Sequence, residues 1–269
     1  MAGTRADVMI YEKGLAPSRE KARAFILAGQ VFADGRRIEK PGQKIPDTAE
    51  LYVEGQDGPH FVSRGGIKLM GAIEAFQVDF NDKVVLDVGA STGGFTDCAL
   101  QQGAKRVYAV DVGYGQLDWK LRQDQRVTTL ERTNIRHVNP EDLPEKMDLV
   151  LIDVAFISLK LVLPVISQLL NECGEVVALV KPQFEAGREQ VGKRGVVRNA
   201  EIHREVLERL AVQAESLGLF PLSICFSPIK GPQGNIEYFL HLTKSALTEV
   251  SALDIADIVS KAHAELYDR

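Results

Sequence analysis

From residue 83 onward the chain alternates short apolar runs of strand length with longer segments of helical periodicity. That alternation restricts the fold more than any other feature. The runs at 83–89, 106–112, 148–154 and 175–181 are dominated by Val, Leu, Ile and Ala, with a shorter fifth at 127–131. Nearly continuous apolar runs mark strands buried on both faces, whereas half-exposed strands alternate with polar residues. Between the runs, 95–102, 116–123, 159–171 and 200–217 read as helices. Two further strands, 220–226 and 234–243, and a polar helix from residue 251 close the chain. The expectation is an α/β fold: a mostly parallel sheet covered on both faces, its last strand antiparallel.

Upstream of residue 55 the pattern changes. Residues 5–13 form a short helix candidate stopped by Gly14. Ser18 is placed to cap a second helix running to Ala28, with Gly29 just beyond its end. Ala22, Phe25 and Ile26 share one face of that helix, which leaves Arg19, Lys21 and Arg23 on the others. A strand at 30–33, the Asp34-Gly35 turn, the basic pair Arg36-Arg37 and a strand at 49–54 complete a small α+β domain over 1–55. The stretch Gly55-Gln56-Asp57-Gly58-Pro59-His60 reads as a linker, so 56–62 separates this domain from a larger one at 63–269.

Several classes are excluded early. The apolar stretch 149–170 is broken by Asp153, Lys160 and Pro164, so it is no membrane span, and residues 1–12 lack the apolar core of a secretion signal. Three cysteines without C-x-x-C spacing argue against a disulfide framework or a zinc site and point to a reducing cytoplasm. Net charge is -5, and residues 1–55 hold nine Lys/Arg against eight Asp/Glu. Charge balance alone does not point to nucleic acid.

The most informative segment is Leu86-Asp87-Val88-Gly89-Ala90-Ser91-Thr92-Gly93-Gly94-Phe95. A strand ends in an acidic residue and a glycine-rich turn that opens a helix, where backbone N–H groups are free to meet a ligand. The spacing is G-x-x-x-G-G, which departs from the G-x-G-x-x-G of dinucleotide-binding turns. Asp87 before the turn suits a cationic ligand end better than a pyrophosphate. Asp111, closing the next strand, can accept both hydroxyls of an adenosine ribose, and Asn134 falls where adenine contacts arise.

Four further charged residues sit where a simple core would not place them. Lys68 follows Ser63-Arg64-Gly65-Gly66 on a helix before the first strand; Asp153 ends the fourth strand; Lys181 ends the fifth; Glu237 lies early in the last. In open α/β sheets ligands bind beyond the carboxyl ends of the parallel strands. An antiparallel last strand would begin at that same edge, so Asp153, Lys181 and Glu237 converge there.

With these residues in view, the whole chain resembles the TlyA family, often labelled hemolysin A, which joins an S4-type RNA-binding domain to an FtsJ-like methyltransferase domain. The markers are Ser18-Arg19-Glu20-Lys21-Ala22-Arg23 with Gly29-Gln30-Val31, Ser63-Arg64-Gly65-Gly66-Ile67-Lys68-Leu69, the glycine turn, and the segments around Asp153, Lys181 and Glu237. The resemblance implies a Rossmann-like fold using S-adenosylmethionine and a tetrad of Lys68, Asp153, Lys181 and Glu237. The activity implied is methyl transfer to a ribose 2′-hydroxyl, a cytidine of ribosomal RNA in studied members. Ser63, Arg64, Gly65, Asp87, Gly89, Ser91, Thr92, Gly93, Gly94, Phe95, Asp111 and Asn134 form the expected cofactor-binding set. One departure stands out: His60 and Phe61 occupy slots where the family often carries a basic residue and a tryptophan, and the sole tryptophan is Trp119.

The chemistry agrees with that assignment. A ribose hydroxyl is a weak nucleophile and must be oriented and deprotonated as it attacks a sulfonium methyl in line. A lysine serves when burial or a neighbouring ammonium brings its pKa towards the working pH. Lys181 is the expected proton acceptor or guide, tuned by Lys68, with Asp153 and Glu237 holding both amines. Arg5, Arg19, Lys21, Arg23, Arg36, Arg37 and Lys40 are the expected phosphate contacts to ribosomal RNA or ribosomal subunits. Residues 183–198, rich in Gly, Lys and Arg, read as a mobile loop over the target nucleotide. Three rivals fit less well. A base N-methyltransferase leaves Lys68 and Lys181 unexplained, a pore-forming hemolysin needs a membrane-inserting segment, and a non-catalytic ribosome-binding factor leaves the tetrad without a role.

Overall fold

The computed structural model describes residues 3–16, 18–34, 36–47, 49, 51–53, 61–231, 233–245 and 253–267. The chain divides into two compact units, Met1–Arg64 and Gly65–Arg269. The linker stretch 55–60, with His60, lies outside the described residues, as does Gly35 of the expected turn.

In the first unit, β1 (Thr4–Arg5) pairs antiparallel with β4 (Lys44–Ile45), while β2 (Val31–Ala33) is the centre of a sheet flanked by β3 (Arg36–Arg37) and β5 (Leu51–Val53). The basic pair Arg36-Arg37, to which the sequence assigned no element, is the edge strand β3. Helices α1 (Ala6–Glu12) and α2 (Arg19–Leu27) supply Met9, Ile10, Ala22 and Ile26 to a core shared with Val31, Ile38, Ile45 and Val53. Ser18 Oγ accepts from Lys21 N at 3.1 Å, the cap expected for α2.

The second unit opens with α3 (Arg64–Phe76) and is built on a seven-stranded sheet. Its strands are β6 (Val84–Val88), β7 (Arg106–Val110), β8 (Val127–Leu130), β9 (Met147–Ile152), β10 (Leu170–Val180), β11 (Phe220–Phe226) and β12 (Tyr238–Thr243), in the order β11-β12-β10-β9-β6-β7-β8. Pairings among β6 to β10 are parallel; β12 runs antiparallel to both β10 and β11. Helices α4 (Gly94–Gln101), α5 (Trp119–Gln123), α6 (Leu163–Leu169), α7 (Pro182–Glu185), α8 (Ala200–Ser216) and α9 (Ile255–Leu266) accompany the sheet.

Two expected elements differ. The helix at 159–171 is a short 3-10 turn, Leu159–Leu161, followed by α6. It stops at Leu169 because Leu170 already pairs with Met147, before a register shift to Glu175 opposite Leu149. The closing helix begins at Ile255, capped by Asp254, and is amphipathic rather than polar: Ile255, Val259 and Ala262 are buried. No described helix is long and apolar enough to cross a membrane.

Candidate active site

The register of the sheet decides which residues meet. Val88 pairs with Ile152, and Val180 with Tyr238. The chain therefore emerges at one edge of the sheet as Gly89, Asp153 and Lys181, while Glu237 enters there. Asp153 and Lys181 lie one residue beyond β9 and β10, and Glu237 just before β12. Its expected place early in that strand shifts because the chain turns at 233–234 and 235–237 stay outside the sheet, with Gly234 N donating to Gly231 O and Gly231 N to Asn235 O.

Two ion pairs occupy this edge. Lys68 Nζ donates to Glu237 Oε2 at 2.6 Å, across 169 residues of sequence, and the two side chains are 10% and 1% exposed. Gly231 roofs the carboxylate: a Cβ there would collide with Glu237 Oε1. Lys181 Nζ lies 2.5 Å from Asp153 Oδ1. That contact is a charge pair off the hydrogen-bonding direction, since Asp153 Oδ1 is buried without an aligned donor. All four residues singled out in the sequence are thus joined two by two.

Beside them lies the glycine turn. Gly89 has φ +86°, and a Cβ there would meet Asp153 O at 2.5 Å, so the turn can pass over β9 only without a side chain. Gly93, at φ +96°, is pressed against Leu121 of α5 in the same way and leads into α4. Ser91 adopts φ +49°, which aims its N–H at Asp111 Oδ2, 2.8 Å away; Gly113 N donates to the other oxygen at 2.7 Å. Both donors leave acceptor capacity on the Asp111 carboxylate. Asp87 is fully buried: Thr96 Oγ1 donates to its Oδ2 at 2.6 Å, and Oδ1 has no partner. Burial, with smaller contributions from Asp153 and Asp111, pushes the Asp87 carboxyl up to about 7. The N–H groups of Gly89, Ala90, Ser91 and Gly93 are spent within the protein. Three carboxylates share one field around the turn, an environment fitted to a ligand carrying positive charge.

Asn134 is differently engaged: its Oδ1 accepts from Arg136 N at 3.2 Å and caps the short turn Ile135–His137. Ser63 and Arg64 fall in the first unit by chain division, while Gly65 opens the second on α3. In the first unit, Arg5 and Arg19 both reach the buried Asp7, at 2.9 Å and 3.2 Å, and Arg5 in particular holds that carboxyl below its ordinary range. Lys21 lies over the Phe25 ring, Arg37 over Gly29, and Arg23, Arg36 and Lys40 are exposed.

Sequence reasoning missed three participants. Thr96 satisfies one oxygen of Asp87. Phe156 has φ +63° and is 89% exposed, yet its ring packs on Phe184 with centroids 5.0 Å apart. Glu185 accepts from Ser158 Oγ at 2.6 Å and Leu159 N at 2.8 Å. The run Asp153-Val154-Ala155-Phe156 was visible, but nothing in it announces a left-handed phenylalanine.

This strand order, with a reversed β12 beside a glycine turn and a ring of carboxylates, defines a Rossmann-like methyltransferase. Residues 61–244 match the FtsJ-like methyltransferase family and residues 4–51 the S4 domain. YqxC of Bacillus subtilis is 48% identical over 98% of this chain and 96% of its own. The 16S/23S rRNA (cytidine-2'-O)-methyltransferase TlyA of Mycobacterium tuberculosis is 44% identical over 97% of each chain. A solved structure from Streptococcus thermophilus is similar with a TM-score of 0.77 at 46% identity, covering 100% of this chain and 98% of that one. The chain belongs to the TlyA family of FtsJ-like methyltransferases, and its methyl donor is S-adenosylmethionine.

Proposed function

We propose that the protein methylates the ribose 2′-hydroxyl of a cytidine in ribosomal RNA, in the cytoplasm, as the name of its Mycobacterium tuberculosis relative describes for the reaction of that enzyme. The observation that carries this reading is the convergence of two ion pairs, the buried Lys68–Glu237 and the half-buried Lys181–Asp153, on one sheet edge beside the glycine turn. A base N-methyltransferase has no use for two lysines so held.

S-adenosylmethionine, when bound, supplies a sulfonium methyl and a leaving thioether. In this reading the glycine turn lets the ligand approach the start of α4 closely, Asp111 accepts from the ribose hydroxyls, and Asp87 faces the cationic end. Gly65, Ser91, Thr92, Gly93 and Gly94 complete the pocket, with Ser63 and Arg64 as further candidates. As the new O–C bond forms, the S–C bond breaks and the hydroxyl proton must leave. Lys181 takes or steers that proton, Asp153 fixes the amine, and Lys68, clamped by Glu237, adds positive potential where the oxygen gains charge. Phe156 offers an exposed ring beside Asp153 on which an unstacked base can rest.

The test is transfer of labelled methyl from S-adenosylmethionine to ribosomal subunits and to naked ribosomal RNA, mapping the product by resistance to alkaline cleavage. One alkali-resistant ribose is expected. Lys181→Ala should lose ~10²–10⁴-fold in rate while still binding S-adenosylmethionine. Near-normal methylation by that variant would sink the assignment of Lys181. Wild-type transfer to a base would overturn the ribose reading.

A further inference from the structure

Glu185 is a half-buried carboxylate with no part in the two ion pairs. It closes α7, the short helix that begins immediately after Lys181. Its side chain reaches back 27 residues in sequence, to Ser158, into the segment that leaves β9 through Asp153. Oε2 accepts from Ser158 Oγ at 2.6 Å and Oε1 from Leu159 N at 2.8 Å, so both oxygens are spent on that one segment. Its own backbone is anchored from the other side, since Arg209 Nη2 on α8 donates to Glu185 O at 2.7 Å. Directly beside this bridge Phe184 packs on Phe156.

The bridge thus spans the two loops whose charged ends must meet. The sheet register brings Lys181 and Asp153 to within 2.5 Å, and the segments 154–160 and 182–186 continue directly from them. Phe156, moreover, holds φ +63°, a backbone state that a phenylalanine leaves unless its surroundings impose it. The aromatic contact alone is a single tilted ring pair on an otherwise exposed side chain. Core packing of Val154, Ile157 and Leu159 holds the segment from below, and the two hydrogen bonds to Glu185 tie it sideways to α7.

We propose that Glu185 is a positioning residue for methyl transfer: its carboxylate latches the segment carrying Asp153 and Phe156 onto the segment carrying Lys181 and Phe184. Glu185 touches no reacting atom and acts through those residues, a role that rests on the ribose-methylation reading above. Ser158 contributes twice, since its hydroxyl oxygen also accepts from Lys160 N at 3.1 Å and caps the turn that follows.

The decisive experiment is a double-mutant cycle in the full-length protein between Glu185→Ala and Phe156→Ala, read as single-turnover methylation of ribosomal RNA. S-adenosylmethionine affinity and hydrogen exchange over residues 153–160 are measured alongside. Glu185→Ala should lower the rate by ~10- to ~100-fold, as a small misplacement of reacting groups does, while cofactor affinity holds. Glu185→Gln should recover most of it, because its amide oxygen can still accept from Leu159 N and its NH₂ can donate to Ser158 Oγ. The double variant should be no worse than the poorer single one, and exchange across 153–160 should quicken in Glu185→Ala. Multiplying losses, or unchanged exchange, would overturn the latch. If Glu185→Ala fails to fold, Ser158→Ala removes one of the two bonds and enters the same cycle. A wild-type protein inactive on RNA defeats the parent reading, and exchange then still decides whether the latch exists.

Discussion

At the scale of single residues, Asp87 is the most perturbed group in the cofactor region. Its carboxyl is raised to about 7 chiefly by burial, and one oxygen lacks a donor. A carboxylate whose folded pKa is raised is most comfortable protonated. Its stabilising contribution is present below the unfolded value of 3.8 and is lost as pH rises through about 7. A cation beside Oδ1 reverses the preference, because it favours the ionised form and expels the proton. S-adenosylmethionine affinity should therefore rise by about tenfold between pH 6 and pH 8, with proton release on binding. Titration calorimetry in buffers of different ionisation enthalpy would measure both. In Asp87→Asn the pH dependence should vanish. An affinity flat with pH in the wild type would place the cationic end of the cofactor away from Asp87. Glu185 and the left-handed backbone of Phe156 mark the opposite case at this scale, features that nothing in the sequence announces. A glutamate after Lys181-Pro182-Gln183-Phe184 has no spacing signature, and its partners lie in a loop that only the fold brings near.

At the scale of elements, the strands were legible because burial on both faces writes itself as continuous Val, Leu and Ile. Each parallel strand expected from such a run is present, although β10 begins earlier than its apolar core, at Leu170. The edge of convergence followed from direction alone, since an antiparallel β12 must begin where β9 and β10 end. Less legible was where β12 starts. Asn235 is buried, its Oδ1 accepting from Val197 N at 3.0 Å and its Nδ2 donating to Gly195 O at 2.9 Å, which spends 234–237 on a loop instead of the sheet. The polar reading of α9 comes from its charged flanks: seven of its twelve residues are apolar, and Ile255, Val259 and Ala262 share one buried face. Helices α9 and α8 meet at His203 on α8. Its Nε2–H donates to Val197 O at 3.0 Å, so Nδ1 accepts from Tyr238 O–H at 2.9 Å, with His263 of α9 beside it. Burial, and secondarily His263, lowers His203 to about 4. A depressed histidine contributes stability that is present above its unfolded pKa, near 6.5, and lost as pH falls towards about 4. Urea unfolding should show the wild type losing about 2 kcal/mol more than His203→Gln between pH 7 and pH 5. Equal losses would mean that His203 takes up its proton in the folded state.

At the scale of the whole molecule, the difficulty is electrostatic. A chain of net charge -5 is asked to hold a polyanion, and the carboxylates around the glycine turn make the second unit no better a host. Phosphate affinity must then come from local groups of cations, and the first unit offers candidates. Arg23, Arg36 and Lys40 are exposed, while Asp7 organises Arg5 and Arg19 from beneath. Phosphate contacts position a substrate without reading its sequence, and each releases counterions, so they set affinity and salt dependence rather than the rate of chemistry. A full-length variant with Arg23→Ala, Arg36→Ala and Lys40→Ala should thus bind ribosomal RNA more weakly. The slope of log affinity against log salt should become shallower by about 0.7–0.9 for each phosphate that is no longer neutralised. Its kcat at saturating RNA should match the wild type, because Lys68, Asp153, Lys181 and Glu237 lie in the other unit and are untouched. Filter binding across a salt series, paired with methyl-transfer kinetics, separates the two effects. A fall in kcat with an unchanged salt slope would mean that these cations act on the chemistry and not on docking. Division of labour between a docking unit and a catalytic unit would then have to be abandoned.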